Sequence, residues 1–256
     1  MINKLSHIHE NSILGKNVKI DAFTVIYDDV EIGDNCWIGP NVTILPGARI
    51  GKNCKIYPGA VISGDPQDLK FKQNKTLTII GDNTIIRECV TINKGTLATN
   101  KTQVGSNCFI MAYCHIAHDC KIGNNSILAN AVNIAGHVII ENDVNIGGMT
   151  AIKQFTNIGE HTMISGGSLV RKDVPPFIKV AKEPLKFMGI NIVGLKRKKF
   201  TEENIKSIKS IYRKIFSNGQ NISDAINELK LEQKLNKFEL KIIKFINESN
   251  QGIIKN

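Results

Sequence analysis

The sequence predicts an all-β parallel β-helix built from hexapeptide repeats, followed by a smaller α-helical C-terminal part. Three observations predict it. First, an aliphatic residue recurs every sixth position from Ile8 through Leu14, Ile20 and Ile26 to Ile62. The beat resumes at Ile80, Ile86 and Ile92, then runs from Val104 through Ile110, Ile116, Ile122, Leu128 and Ile134 to Val170. A period of six fits neither a helix nor an alternating strand, but it fits a parallel β-solenoid. Second, the position four residues after each aliphatic is slim: Val18, Thr24, Val30, Cys36 and Val42 early, Cys108, Cys114, Cys120, Ser126 and Val132 later. One large and one small inward residue per face suit a narrow prism. Third, the beat stops after Val170 and helical patterns replace it.

The elements follow in chain order. Gly often comes directly after the aliphatic residue (Gly15, Gly33, Gly105), with Asn near it (Asn17, Asn35, Asn107). Both tolerate positive φ, so both are expected to make corners. With three faces per coil, residues eighteen apart stack at the strand spacing of about 4.8 Å. Residues 1–172 form the β-helix, with projecting loops near 63–78 and 93–103, where Pro, Gly and Asn break the beat. Loops on a regular scaffold tend to carry function. Asp173-Val174-Pro175-Pro176 reads as an exit, and 173–256 as linker and helical domain. Thr201-Glu202-Glu203 opens one helix, through Ile205, Ile208, Ile211, Tyr212 and Ile215 to Asn218-Gly219. Two more amphipathic helices are expected, about 222–232 and 236–249. They would cover the open end of the β-helix.

Composition narrows the classes. The chain has 256 residues, 42% of them hydrophobic, and no apolar run long enough to span a bilayer. Its start has no apolar signal core, so a cytoplasmic protein without membrane insertion is expected. Five of six cysteines (Cys36, Cys54, Cys108, Cys114, Cys120) fall on the slim inward position, where a thiol acts as a compact hydrophobe rather than a disulfide partner. From Arg171 onward, nineteen Lys or Arg face nine Asp or Glu, an excess equal to the whole chain's +10. A basic tail suits an acidic partner. No aromatic-interleaved basic motif is present, so nucleic acid is not expected.

Candidate chemistry lies in the second repeat block. His115, His118, His137 and His161 all fall on outward positions. A step of eighteen takes His118 to Gly136 and then to Gln154, and takes Asp119 to His137. His118 can then act as a general base, with Asp119 fixing its tautomer and the Gly136 amide facing a developing oxyanion. With the nearby cysteines pointing inward, direct acyl transfer to a bound hydroxyl is favoured over a covalent intermediate. A rival reading makes His115, His118 and His137 zinc ligands. The Asp119 partner favours the base, so neither metal nor cofactor is expected.

The segment His115-Ile116-Ala117-His118-Asp119-Cys120, with Gly123-Asn124, Ala135-Gly136-His137-Val138 and Ile146-Gly147-Gly148-Met149-Thr150-Ala151, resembles the acyl-ACP:UDP-N-acetylglucosamine O-acyltransferases that open lipid A synthesis. Gly64 to Lys70, Arg87-Glu88, Gly166-Gly167, Asp173-Val174-Pro175-Pro176 and Asn191 to Arg197 extend the resemblance over nearly the whole chain. It implies left-handed coils, a homotrimer with sites between subunits, and a (3R)-3-hydroxyacyl donor on acyl carrier protein. It implies His118 as base on the sugar 3-hydroxyl, Asp119 as its orienter and Gly136 as oxyanion hole. Asp68, Lys70, His115, His137 and Gln154 would position substrate, Gly166 would admit the acyl chain, and Asn191 and Arg197 would lie around the nucleotide. The related N-acyltransferase carries an extra N-terminal domain, for which repeats starting at Ile8 leave no room. Val193, Lys198, Lys153 and Asn93 depart from the family pattern, which leaves a 3-amino sugar nucleotide as the alternative acceptor.

Overall fold

A computed structural model describes residues 1–217, 221–231 and 235–255. Among the described residues the chain winds as a three-sided prism whose faces are sheets of nine, eight and ten strands, parallel except for the last pair of the third. Successive strands visit the three sheets in rotation: His7–Ile8 opens the first, Ile13–Leu14 the second, Lys19–Ile20 the third. Most strands are two residues long because each face has room for one inward aliphatic between corners. The inward column (Ile26, Ile38, Ile44, Ile56, Ile62, Ile110, Ile116, Ile134) is wholly buried. Burying each such side chain contributes roughly 1.5–3 kcal/mol.

The register repeats at eighteen, as in His7 opposite Val25 and His115 opposite Asn133. Two coils differ. Val61 lies opposite Thr91 and Thr91 opposite His115, steps of thirty and twenty-four. The extra residues are the two loops. Both leave the coil between the first and second sheets, after Val61–Gly64 and after Thr91–Asn93. That edge, here the first edge, therefore carries both projections on consecutive coils, with the His118 corner next.

Corners show why the residue types were chosen. Between the second and third sheets, Asn17, Asn35, Asn53, Asn83, Asn107 and Asn125 all adopt φ of +57° to +60°. The glycines preceding them do not need that conformation. A Cβ on Gly105 would stand 2.5 Å from Asn124 Oδ1 of the next coil, so close approach demands glycine there, contrary to the corner role expected. Inward hydroxyls and thiols are satisfied as well: Thr24 Oγ1 donates to Gly39 O at 2.7 Å and Cys54 Sγ to Gly81 O at 3.2 Å.

The exit at Asp173–Pro176 ends the beat but not the sheet. Ile178–Ala181 pairs in parallel with Met163–Ile164, and Lys186–Ile190 then pairs antiparallel. These strands close the third sheet, a use of 173–190 that periodicity could not reveal. Among the described residues four helices follow: α1 (Ile192–Arg197), α2 (Glu202–Ser217), α3 (Ile222–Leu231) and α4 (Lys237–Asn247). The short α1 was not expected; it is capped by Asn191, whose side chain accepts from Gly194 N at 3.2 Å. In α2, Ile205, Ile208, Ile211, Tyr212 and Ile215 are buried, and Tyr212 donates to Pro176 O at 2.6 Å, fixing the helical part to the exit. The expected stop at Asn218-Gly219 and the end of the second helix at 232 lie outside the described residues. No described helix is long and apolar enough to cross a membrane.

Candidate active site

His118 and Asp119 occupy the first-edge corner after His115–Ile116. This edge places Asp119, His137 and Phe155 at φ +62°, +61° and +65°, the same left-handed corner conformation that Phe23, Cys89, Tyr113, Ala131 and Met149 adopt on the edge between the third and first sheets.

The Asp119 carboxylate is fully enclosed. Its Oδ2 accepts from His118 Nδ1 at 2.8 Å and from Thr96 Oγ1 at 2.7 Å. Its Oδ1 accepts from Thr96 N at 2.9 Å and from Thr99 Oγ1. Burial alone would raise its pKa, but the Thr99, His118 and Thr96 hydrogen bonds outweigh it and bring the group to about 2. The carboxylate is therefore charged at any working pH. With Nδ1–H committed to it, the His118 tautomer leaves Nε2 as a free acceptor.

His118 is outside the prism, as the register predicts, yet only 7% exposed. An outward register position thus does not leave this ring open to solvent. The second loop reaches the corner through Thr96 and Thr99, which hold the Asp119 carboxylate beneath the ring's Nδ1. A Cβ on Gly136 would lie 2.7 Å from His118 Cε1 and 2.8 Å from Nε2. Glycine on the neighbouring coil is thus what gives Nε2 room. Among the described residues the Gly136 amide donates to no acceptor. His137 stands edge-on to His118, with centroids 5.1 Å apart, and stacks on Phe155 at 4.7 Å. Its Nε2 is 3.6 Å from Asp119 Oδ2.

The metal question can be put to the same atoms. Ligand atoms of His118, Asp119 and His137 lie within 4.8 Å of one another. An ion there would have to displace the hydrogen bonds that hold Asp119. His115, the third ligand of the rival reading, is elsewhere: its Nδ1 pairs with Thr91 Oγ1 at 2.7 Å, and burial lowers its pKa. Nor is a thiolate at hand, since burial pushes Cys120 up to about 12 and Cys114 up to about 11.

The remaining expected residues are dispersed. Asp68 accepts from Lys70 N at 2.9 Å within the first loop, and neither is hydrogen-bonded or ion-paired to the His118 cluster among the described residues. Gln154 is exposed one coil above Gly136 on the first edge. Gly166 lies on the edge between the third and first sheets. Asn191 lies on the edge between the second and third, where its Nδ2 donates to His161 O at 2.9 Å, and the α1 residue Arg197 is exposed beside it. Of the residues expected to depart from the family pattern, Lys198 is held by Asp143 at 2.5 Å, Lys153 donates to Gln251 Oε1 at 3.2 Å, and Val193 is exposed. Asn93 is buried, with Oδ1 unpartnered among the described residues. Thr96, Thr99 and Phe155 were not singled out from sequence. The break in the beat one coil below His118 was the available signal for the threonines.

Known proteins match this architecture in both parts. Residues 11–36, 29–64 and 101–136 match the family described as bacterial transferase hexapeptide (six repeats). Residues 173–254 match the second domain of UDP-N-acetylglucosamine O-acyltransferase. A protein of Aliarcobacter butzleri named acyl-[acyl-carrier-protein]--UDP-N-acetylglucosamine O-acyltransferase is 41% identical, over 98% of this chain and 97% of its own. The chain belongs to the UDP-N-acetylglucosamine O-acyltransferase family. A protein of the same name from Thermodesulfovibrio yellowstonii is 40% identical, over 98% of this chain and all of its own. Among solved structures, the family's member from Bacteroides fragilis superposes with a TM-score of 0.97 at 44% identity, covering both chains completely. The Francisella novicida enzyme gives 0.96 at 38% identity, over 100% of this chain and 94% of its own.

Proposed function

We propose that this chain transfers a (3R)-3-hydroxyacyl group from acyl carrier protein to the 3-hydroxyl of UDP-N-acetylglucosamine, the first step of lipid A synthesis, in the cytoplasm. The observation that carries the mechanism is the His118–Asp119 pair with Gly136 against the ring. His118 Nε2 takes the proton as the sugar oxygen attacks the thioester carbonyl. Asp119 stabilises the imidazolium that forms. The Gly136 amide donates to the oxyanion. The imidazolium then returns its proton to the leaving thiolate. No protein nucleophile is needed, which agrees with the raised cysteine pKa values.

The dispersal of the other residues supports a homotrimer with shared sites. His118 and Gly166 lie on the two edges that bound the first sheet. That sheet's outward column is His7, Val25, Thr43, Val61, Thr91, His115, Asn133, Ala151 and Leu169, with no Lys, Arg, Asp or Glu. The other two faces carry Lys19, Lys55 and Lys179, or Glu31, Arg49 and Lys121. A face without charge is the one to bury against copies, and that packing sets the first edge of one copy beside the Gly166 edge of the next.

The test is a transfer assay with purified protein, UDP-N-acetylglucosamine and a panel of 3-hydroxyacyl carrier proteins. A 3-O-acylated product is expected, from a species that sediments as three chains. Transfer only to a 3-amino sugar nucleotide would establish the alternative acceptor, and a fully active single chain would contradict the shared site.

A further inference from the structure

Above the catalytic corner, the first edge ends in a hollow of about 290 Å³. Leu169, Pro184, Leu185 and Ile254 form its apolar lining, and Arg171, Lys172, Lys186 and Lys255 ring it with cations. Only Arg171 is neutralised, by Glu183 at 2.5 Å. Among the described residues Lys172, Lys186 and Lys255 have no carboxylate partner. Lys186 and Lys255 are held side by side by a backbone bridge between the closing strand and the chain's last described residues. Three uncompensated lysines around an apolar lining fit a phosphate on an organic arm.

Position identifies which phosphate. Lys172 is eighteen residues after Gln154, which is eighteen after Gly136, itself eighteen after His118, and the strand registers hold through those coils. Lys172 therefore stands three rungs above the base, about 14 Å at the strand spacing, with Lys186 and Lys255 lining the same hollow. Two phosphates could belong to this reaction. In a nucleotide sugar, five bonds separate the 3-oxygen from the nearer phosphorus, a reach of about 6 Å when extended. In a phosphopantetheine arm, thirteen bonds separate the thioester sulfur from phosphorus, a reach of about 15 Å. The second matches. We infer that Lys172, Lys186 and Lys255 bind the phosphodiester of the acyl donor's phosphopantetheine arm, with the hollow's apolar lining beneath its dimethyl group. This rests on the acyl-transfer reading above.

The experiment compares two small donors, 3-hydroxyacyl-phosphopantetheine and the same thioester on pantetheine without phosphate. The wild-type protein should show a kcat/KM about tenfold higher for the phosphorylated donor. Replacing Lys172, Lys186 and Lys255 together by Gln should abolish that preference, and replacing them by Arg should preserve it. A preference that survives the Gln variant overturns the assignment. So does a variant whose KM rises for the nucleotide sugar instead, which would place the acceptor's pyrophosphate in the hollow. A wild-type protein that uses both donors equally also overturns it, while leaving acyl transfer intact. Failure to use either donor or any acyl carrier protein would remove the acyl-transfer reading itself.

Discussion

His118→Ala is expected to lower the rate of acyl transfer at least about a hundredfold, the usual scale for a lost general base. Its Nδ1 is committed to Asp119, and its Nε2 is the one free acceptor of the pair. With the ring gone, a sugar hydroxyl must attack with its proton still attached or lose it to water. The loss should fall on kcat more than on KM for the acceptor, because the proton moves only on the way to the transition state. The fold should survive, since the ring packs against the outside of the prism and the inward column is untouched. Added imidazole should recover part of the rate. A variant with near-normal kcat would remove His118 from the chemistry.

Gly136→Ala is the second large effect, by a different route. The new methyl would lie 2.7 Å from His118 Cε1, nearer than any real contact, so the ring or the coil must move. Overpacking of this kind typically costs 1–3 kcal/mol of stability. The larger consequence is catalytic: both the Nε2 position and the Gly136 amide shift together. Losing one oxyanion donor alone costs about a hundred- to a thousandfold in kcat. Circular dichroism and the transfer assay on the same sample separate the two consequences. A folded Gly136→Ala protein with normal kcat would show that neither atom is where the reaction occurs.

Much of this site is legible in the sequence. The six-residue beat fixes which side chains point inward, and the eighteen-residue step places Gly136 above His118 and His137 above Asp119. That works because a parallel β-helix turns sequence separation directly into spatial adjacency. What the beat could not supply is what happens where it fails. The Thr96 and Thr99 contacts to Asp119 come from a loop outside the repeat, and loop conformation has no period to read. The closing strands Ile178–Ala181 and Lys186–Ile190 were missed for the same reason: their pairing is set by the exposed edge of the third sheet, not by any local pattern. The burial of His118 comes from Asp119 beside it and from Gly136 and His137 on the next coil, whose closeness the register gives but whose covering of the ring it does not. Glycine roles were misassigned because close approach and positive φ both select glycine, and sequence does not distinguish them. Gly166 and Asn191 lie on other edges of the prism, so within one chain the eighteen-residue step does not bring them to His118.

The central claim is that the acceptor oxygen attacks the donor thioester directly, deprotonated by His118. Rapid quenching of the first turnover tests it most directly, with a radiolabelled 3-hydroxyacyl carrier protein and UDP-N-acetylglucosamine. The account predicts label passing from carrier protein to sugar nucleotide with none on the enzyme, and no carrier protein released when the acceptor is omitted. A burst of labelled enzyme before product forms would contradict it.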